Sequence, residues 1–533
     1  METLHQSRKI LLRVLRFIGR HPLPVLILPS VWFFSFYLPF WHSADVLCEL
    51  GAPFFADNIL LVPPFYCVLG RLPFWVTDTL VAGSAPDIFG AQHPSISAVY
   101  ALVACQHIGL WLALWYFIGA LSTSDIARGI VVLLLVSIAS FYSFAHMAGA
   151  EATTAVTWFA LFGVGLRILR GQGNWKNWVI YFFVLLICIG SRHVSGLILG
   201  WLPVTALMLA AFIFFRDRDK RSSAAFSFVG TASIALVFST MSLGIEQSIV
   251  SALCQHFGLV KRPMQGRTLC ERIGSFLDPL SIGEKEQVAH RAAGHTKDRE
   301  VRLAIDSLTT IGTYYAGSSA AIAQMVQRRG LSGDKLQAEV DRITLEAAIC
   351  FYLTFDSRLI QKIVKDVVRG FYPMNDQGIA LTGPKATYFS LGPIEEHPRA
   401  WANIRSLAFF EPAVAHATLE RAYHDNYLRH WRFIPLGVWC LLFASIGVWR
   451  AVQRKLASEL FIVAVCMFGI GFAVYIATCV CNLTQPRYVL PLWVGIVASG
   501  CILIVGRNLA DPIGCVATND VPLVRTIPNP RPK

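Results

Sequence analysis

Cationic side chains recur beside the ends of long apolar stretches of the chain. Arg192 and His193 end one such stretch, and Arg487 with Tyr488 stands at the start of another. A cation at the edge of a bilayer-length helix is costly unless an anion meets it there. Guanidinium groups bind phosphate through charge-assisted hydrogen bonds. The four residues therefore predict a phosphate-binding site at a bilayer face; the simpler interpretation is that the cations only snorkel to the interface.

Carboxylates follow the first apolar stretch within a few residues. Asp45 comes first, Glu49 lies one helical turn later, and Asp57 follows in the same loop. A carboxylate near a bilayer surface, among aromatic side chains, can keep a pKa suited to general-base chemistry. Asp45 is the first candidate for a base that deprotonates a hydroxyl group, with Glu49 and Asp57 as alternatives. The simpler interpretation is a solvated acidic loop.

Four polar residues stand within or between apolar stretches. His146 and Glu151 flank a tight turn, and Glu151 opens a hydrophobic helix. That position is expensive for a carboxylate unless it faces a polar cavity, although an acid there also suits the helix dipole. His146 and Glu151 are predicted to bind substrate. Gln106 and His107, inside an apolar stretch, are expected to join helices by hydrogen bonds.

The composition is that of a multi-pass membrane protein. Of 533 residues, 55% are hydrophobic and 15% charged, and the mean hydropathy is +0.54. Soluble domains have about a quarter charged residues, and several stretches here exceed the ~18 apolar residues of a spanning helix. The net charge of +13 is explained by basic loops that orient spans and contact anionic lipids. No basic patch with interleaved aromatics indicates nucleic-acid binding.

Hydropathy predicts an all-α polytopic membrane protein with about ten spans. The predicted spans are 23–42, 97–121, 127–147, 150–167, 176–191, 195–215, 224–249, 432–450, 457–481 and 486–506. The basic loops fall on one side when the N-terminus is inside. The positive-inside rule therefore places both termini in the cytoplasm.

Two long segments then lie outside the membrane. Segment 43–96 is acidic and rich in aromatics and prolines, which predicts short interfacial helices. Segment 250–431 is long enough for a domain of its own and is predicted to be mostly α-helical. The remaining divisions are an N-terminal transmembrane module over 1–249, which includes the first outer loop, a C-terminal module over 432–510, and a disordered cytoplasmic tail over 511–533.

Two pairs of cysteines fall in the predicted outer segments. They are Cys48 with Cys67 and Cys254 with Cys270. Spacing alone leaves a disulfide open in either pair.

The order of these features resembles the GT-C superfamily of membrane glycosyltransferases, which take sugars from polyprenyl-phosphate carriers. Within it, the chain resembles the bacterial glycosyltransferases of the dolichyl- or polyprenyl-phosphate-mannose type. The corresponding positions are Asp45 after the first span, the segment from Pro63 to Arg71, Gln106 in the second span, Glu151 opening the fourth, Arg192 ending the fifth, and Pro-Arg-Tyr-x-x-Pro from Pro486 to Pro491.

Three departures leave the branch of the superfamily, and therefore the acceptor, open. Asp45 is followed by Val46, where two branches usually carry an Asp-Glu pair. No Trp-Trp-Asp signature of the oligosaccharyltransferase branch is found. Segment 250–431 lies between the seventh and eighth predicted spans rather than at the C-terminal end.

The resemblance implies an inverting sugar transfer at the outer leaflet. Asp45 would remove the proton of an acceptor hydroxyl, which would attack the anomeric carbon and displace polyprenyl phosphate. Arg192 and Arg487, with His193, would stabilise the leaving phosphate where its charge develops.

The resemblance also implies how substrate is held. Glu151 would orient a sugar or acceptor hydroxyl, with His146, Tyr66 and Arg71 as further substrate-binding residues. Some branches use a divalent cation, Mg²⁺ or Mn²⁺, which Asp45 and Glu151 would share; the residues alone specify no metal site.

Two alternative functions remain. A transporter or flippase of a lipid-linked or small solute would use intramembrane cations along its pathway. An O-antigen-type polymerase or ligase would place two arginines on a polyprenyl-diphosphate glycan. The expected partners of the favoured enzyme are the lipid-linked donor, a glycan, lipid or protein acceptor, and membrane lipids, with no nucleic acid. The expected location is a bacterial inner membrane, with the active site facing the periplasm.

Overall fold

The structure, a computed structural model, is helical almost throughout. It describes residues 2–36, 40–41, 50, 64–83, 87–90, 94–121, 124–216, 223–258, 265–311, 315–371, 445–446, 449, 459–481 and 489–505. Within these ranges the extended pairing consists of β1 (Phe40–Trp41) and β2 (Met147–Ala148), which lie parallel, Phe40 opposite Met147 and Trp41 opposite Ala148.

The described residues of the N-terminal half form ten α-helices. They are α1 (Glu2–Arg20), α2 (Pro22–Phe36), α3 (Pro64–Ala82), α4 (Ile96–Ala120), α5 (Asp125–Val136), α6 (Ala139–His146), α7 (Glu151–Arg167), α8 (Trp175–Ser191), α9 (Trp201–Arg216) and α10 (Ser223–His256). A π-helical turn over Ile168–Gln172 extends α7, and a 3₁₀ helix over His193–Gly200 precedes α9.

The second half of the described chain contains eight more helices. They are α11 (Gln265–Leu277), α12 (Ile282–Ala293), α13 (Arg299–Ile311), α14 (Tyr315–Gln327), α15 (Gly333–Leu353), α16 (Ser357–Phe371), α17 (Glu459–Cys481) and α18 (Leu490–Val505).

The protein is an α-helical membrane protein, as its sequence predicts. Among the residues that the structure describes, five helical stretches are long and apolar enough to cross a bilayer, and three shorter apolar helices accompany them. The five are Ser97–Ala120, Glu151–Gln172, Ser195–Phe215, Ala224–His256 and Glu459–Cys481, and the three are Pro22–Ser35, Trp175–Ser191 and Leu490–Ile504. Ten spans are not confirmed, and most of the predicted span 432–450 lies outside the described residues.

The predicted span 127–147 is wrong as one continuous helix. The structure divides it into α5 and α6, which are interrupted at Ser137 and Ile138. At 1.5 Å per residue the 12 residues of α5 cover about 18 Å, which is too short to cross the ~30 Å hydrocarbon core. The two helices have different main neighbours, because α5 packs chiefly against α1 and α6 packs chiefly against α4.

Helices α11 to α16 share a hydrophobic core that is separate from the core of the apolar helices. Ile273, Val301, Ile305, Ile343 and Phe351 are among its fully buried members. The cluster meets the apolar bundle where α16 packs against α17, with the Tyr475 hydroxyl donating to the Asp366 carbonyl oxygen at 2.6 Å. Cys254 and Cys270 form no disulfide with each other, and Cys48 lies outside the described residues.

Candidate functional site

A buried ion pair joins Glu151 and Arg192. Glu151 is the first residue of α7, and Arg192 is the extended residue that ends α8. Arg192 Nη1 donates to Glu151 Oε1 at 3.2 Å, and the two side chains are 14% and 4% exposed. Two predicted site residues that lie 41 positions apart are thus brought together. Each side chain offsets the charge of the other, which would otherwise be costly to bury.

The start of α3 lies beside the end of α8 that carries Arg192. The ring of Phe65 packs against Gly190 so closely that no Cβ fits between them. A glycine is therefore required at position 190 for α3 to approach. This contact brings the Pro-aromatic segment of the first loop to the Glu151–Arg192 pair.

The Tyr66 hydroxyl is the next polar group along α3, and it is buried. It donates to Gln106 Oε1 at 3.0 Å, while Gln106 Nε2 donates to the Ala145 carbonyl oxygen at 3.0 Å. Gln106 therefore links α3, α4 and α6, as expected for a polar residue inside a span. Tyr66, predicted to bind substrate, here positions helices.

His146 lies against His107 in a buried hydrogen-bonded chain. His107 Nε2 and His146 Nδ1 are 3.2 Å apart, and Ser30 Oγ lies 2.7 Å from His107 Nδ1. Trp111 Nε1 donates to the same Ser30 oxygen at 2.7 Å. Because one of the two facing nitrogens donates a hydrogen and the other accepts it, two neutral imidazoles here take the same tautomer, both Nε2–H or both Nδ1–H. The sequence predicts only that His107 links helices; a histidine inside an apolar stretch is the signal that could have added it to the site.

Arg71 is almost completely buried and holds the backbone of the first loop. Its Nη1 donates to the carbonyl oxygens of Ile88 at 3.0 Å and Gly90 at 3.4 Å. Asp87 Oδ1 accepts from the Phe89 N–H at 2.9 Å and so closes the same turn. Arg71 thus shapes the loop 87–90, whereas the resemblance assigns it to substrate.

Several predicted site residues lie outside the described residues. They are Asp45, Glu49, Asp57, Arg487, Tyr488 and the side chain of His193. Described residues lie near three of them in the sequence. Trp41 of β1 precedes Asp45 by four residues, and Arg487 and Tyr488 directly precede the segment that contains α18. Among the described residues, no group of three His, Cys, Asp or Glu side chains could hold a metal ion.

The arrangement places a cation, a carboxylate and neutral hydrogen-bonding groups around the turn from His146 to Glu151. A guanidinium has five N–H donors and can bind a carboxylate and a phosphate together. Comparison with protein-family models, curated proteins and solved structures gives no match to this chain. The chemistry of the residues is therefore the basis of the functional argument.

Proposed function

We propose that the protein is an integral membrane glycosyltransferase that moves a sugar from a polyprenyl-phosphate donor to an extracytoplasmic hydroxyl group. The observation that carries the proposal is the buried pair of Glu151 and Arg192, 3.2 Å apart, at one end of the apolar helices. A buried ion pair adds little stability by itself, so its retention at a helix end favours a role in binding a charged substrate.

The β1–β2 pairing holds Trp41 beside the turn that leads to Glu151. Trp41 lies opposite Ala148. Ala148 precedes Glu151 by three residues, and Asp45 follows Trp41 by four residues. Four residues of extended chain reach at most about 14 Å. A sugar held near Glu151 would therefore be within range of a carboxylate on the first loop.

The proposed reaction forms one bond and breaks one. The acceptor oxygen attacks the anomeric carbon, its proton passes to the Asp45 carboxylate, and the bond from that carbon to the phosphate oxygen breaks. Arg192 and Arg487, with His193, stabilise the polyprenyl phosphate that leaves. Glu151 keeps Arg192 oriented and accepts a hydrogen bond from a sugar or acceptor hydroxyl.

The proposal includes a GT-C-like arrangement of ten spans with cytoplasmic termini. The active site then faces the periplasm of a bacterial inner membrane, and the helices α11 to α16 hold the acceptor. Some branches of the superfamily use a divalent cation to bind the donor, and in this chain Asp45 and Glu151 would share such a cation.

One observation favours the transporter or flippase as second candidate. His107 is near the middle of the 25-residue helix α4, and it is fully buried against His146. Ionisable side chains at mid-membrane depth are typical of substrate or proton pathways.

A transfer assay separates these functions. Purified full-length protein in detergent is incubated with radiolabelled polyprenyl-phosphate sugars and acceptor extracts, beside Asp45→Asn and a matched first-loop variant, Asp78→Asn. Release of polyprenyl phosphate by wild type and Asp78→Asn, but not by Asp45→Asn, is the expected result. Equal release by all three moves the base to Asp57 or Glu49.

The choice of donor completes the assay. No release from any monophosphate donor contradicts the proposal. Release only from a polyprenyl-diphosphate glycan then favours the polymerase or ligase. Solute uptake into vesicles without product favours the transporter.

A further inference from the structure

Helix α1 has three distinct faces. The buried face consists of Leu15, Ile18 and Gly19. At 100° per residue, a second face carries only polar side chains and includes four cations. These are Lys9, Arg13, Arg16 and Arg20, all exposed.

Exposed apolar side chains lie beside the cations of α1. Ile10, Val14 and Phe17 are 61%, 48% and 64% exposed. Exposure of these side chains to water would be unfavourable. The described part of the protein does not cover them, because a different face of α1 packs against it. An apolar stripe next to a basic stripe is the pattern of a helix that lies in a membrane interface.

The buried face of α1 packs against α5. Gly19 meets the Asp125 carbonyl and Gly129 meets the Leu15 carbonyl, in both cases so closely that no Cβ fits. Arg20 Nε also donates to Asp125 Oδ2 at 2.7 Å. Since the lower residue number of α5 meets the higher number of α1, the two helices are antiparallel.

A contact between α2 and α6 shows where α1 and α5 lie along the axis of α2. The Tyr142 hydroxyl of α6 donates to the Leu26 carbonyl oxygen at 3.0 Å. Leu26 is only four residues, or about 6 Å, beyond the start of α2. The chain leaving α5 is therefore still near the end of α2 at which that helix begins, so α1 and α5 lie together at that end of the apolar helices.

We propose that α1 is an in-plane anchor that binds acidic phospholipid headgroups through Lys9, Arg13, Arg16 and Arg20, with Ile10, Val14 and Phe17 inserted among the acyl chains. Each cation near an anionic surface contributes about 1 kcal/mol, or about fivefold in affinity. Anionic lipid is the occupant whose charge complements one stripe while its acyl chains cover the other. The leaflet is the one where α2 starts, which is cytoplasmic in the proposed topology.

Site-specific photo-crosslinking in the full chain tests the anchor. p-Benzoylphenylalanine replaces Phe17 in protein reconstituted into vesicles of equal anionic and zwitterionic phospholipid, and the crosslinked lipids are identified by mass spectrometry. The same probe at Trp115 on α4, which is 48% exposed, reports on a helix that crosses the bilayer. Crosslinks at position 17 are expected to be enriched in the anionic lipid, and those at position 115 to follow the vesicle composition.

Charge variants identify the recognising residues. Lys9→Gln/Arg13→Gln/Arg16→Gln should lower the anionic enrichment at position 17 on the order of tenfold or more. The matched control, Lys297→Gln/Arg328→Gln/Lys335→Gln, removes the same charge from exposed positions of α11 to α16 and their loops and should leave it unchanged. Absence of lipid crosslinks at position 17, or crosslinks without headgroup preference in the wild type, overturns the proposal. An equal loss in both triple variants also overturns it, because the effect then comes from net charge.

Discussion

Arg192 donates to Glu151 across 3.2 Å at a point where two helix ends meet. Glu151 occupies the first turn of α7, at the positive end of that helix dipole, and Arg192 follows the last turn of α8, at the negative end. Each charge therefore interacts favourably with its own helix as well as with its partner. The pair joins the ends of α7 and α8.

Replacing Glu151 by Gln should destabilise the protein strongly. The substitution keeps the shape of the side chain but removes the carboxylate that pairs with the Arg192 cation in this buried position. Removing one partner of a buried pair costs about 3–5 kcal/mol. The free energy of unfolding, measured by SDS titration in mixed micelles, should fall by an amount near the lower end of this range because Arg192 keeps 14% exposure.

The double variant Glu151→Gln/Arg192→Gln serves as the control for that prediction. Two amides can hydrogen-bond without a buried charge, so the double variant should be more stable than Glu151→Gln alone. A strictly additive loss would show that the ion pair carries no coupling energy. Transfer activity should be lost in both variants, since the phosphate-binding cation is uncompensated in one and absent in the other.

The apolar helices could be predicted from sequence because the bilayer selects for length and hydropathy. The stretch around α4, from Ile96 to Ala120, differs from its predicted range by one residue at each end. The pairing of Glu151 with Arg192 could not be predicted, although each residue was recognised as costly in isolation. It depends on how α7 and α8 approach each other, which no local pattern encodes.

The break between α5 and α6 illustrates a second limit. Ser137 and Ile138 separate the two helices, and neither residue is Pro or Gly. A hydropathy average over this region therefore predicts one continuous span. The contact of α5 with α1 at Gly19 and Gly129 is tertiary, and hydropathy does not report it. The spacing of Ile10, Val14 and Phe17 is amphipathic and could have predicted an interfacial helix, whereas the positive-inside rule uses only the cations of this segment.

Gly471 and Gly469, two residues apart on α17, should respond in opposite ways to substitution by Ala. A Cβ at Gly471 would lie 2.5 Å from the Pro491 carbonyl oxygen and 3.3 Å from the Gly495 Cα, whereas one at Gly469 would meet nothing within 4 Å. Gly471→Ala must separate α17 from α18, at a cost of about 1–3 kcal/mol. Gly469→Ala should cause no loss, because Ala favours the helix.

SDS titration of the two glycine variants compares substitutions that are identical in chemistry. Equal stability would contradict the close packing of α17 on α18. A loss in Gly469→Ala alone would place the contact on the other face of α17.

His107→Leu should destabilise the bundle by interrupting a chain of buried polar groups. Ser30 and His146 each lose their contact with the imidazole at 2.7 and 3.2 Å, and an unsatisfied buried group costs about 1–3 kcal/mol. His295→Leu, at an exposed position, is the matched control and should change the free energy of unfolding little. If the transfer rate falls in His107→Leu while the folded fraction is unchanged, His107 belongs to the substrate pathway rather than to the packing of the helices.

Asp356 should make the helices α12 and α16 sensitive to acid. The Arg358 side chain donates from Nε to Asp356 Oδ1 at 3.0 Å and from Nη2 to Oδ2 at 2.9 Å, and Arg291 donates to Oδ2 at 2.6 Å. These bonds, those of Arg358 first, hold the pKa of the Asp356 carboxyl well below its usual range. A carboxyl with a depressed folded-state pKa contributes stability that is fully present above its unfolded value, about 3.9, and is lost as the pH falls through the folded-state pKa.

Asp356→Asn isolates this contribution, because Asn can still cap α16 through the Arg358 N–H, which lies 3.0 Å from Asp356 Oδ1. At pH 7 the variant should lose about 1.5–3 kcal/mol, the value of a hydrogen bond to a charged group. The difference from wild type should shrink as the pH falls below about 4, where the unfolded carboxylate takes up its proton first. Hydrogen exchange of α12 and α16 in the full-length protein measures this difference across pH, with Asp278→Asn, an exposed acid of the same helical cluster, as the control. A difference that stays constant with pH would mean that the Asp356 charge does not contribute and that the substitution acts only through packing.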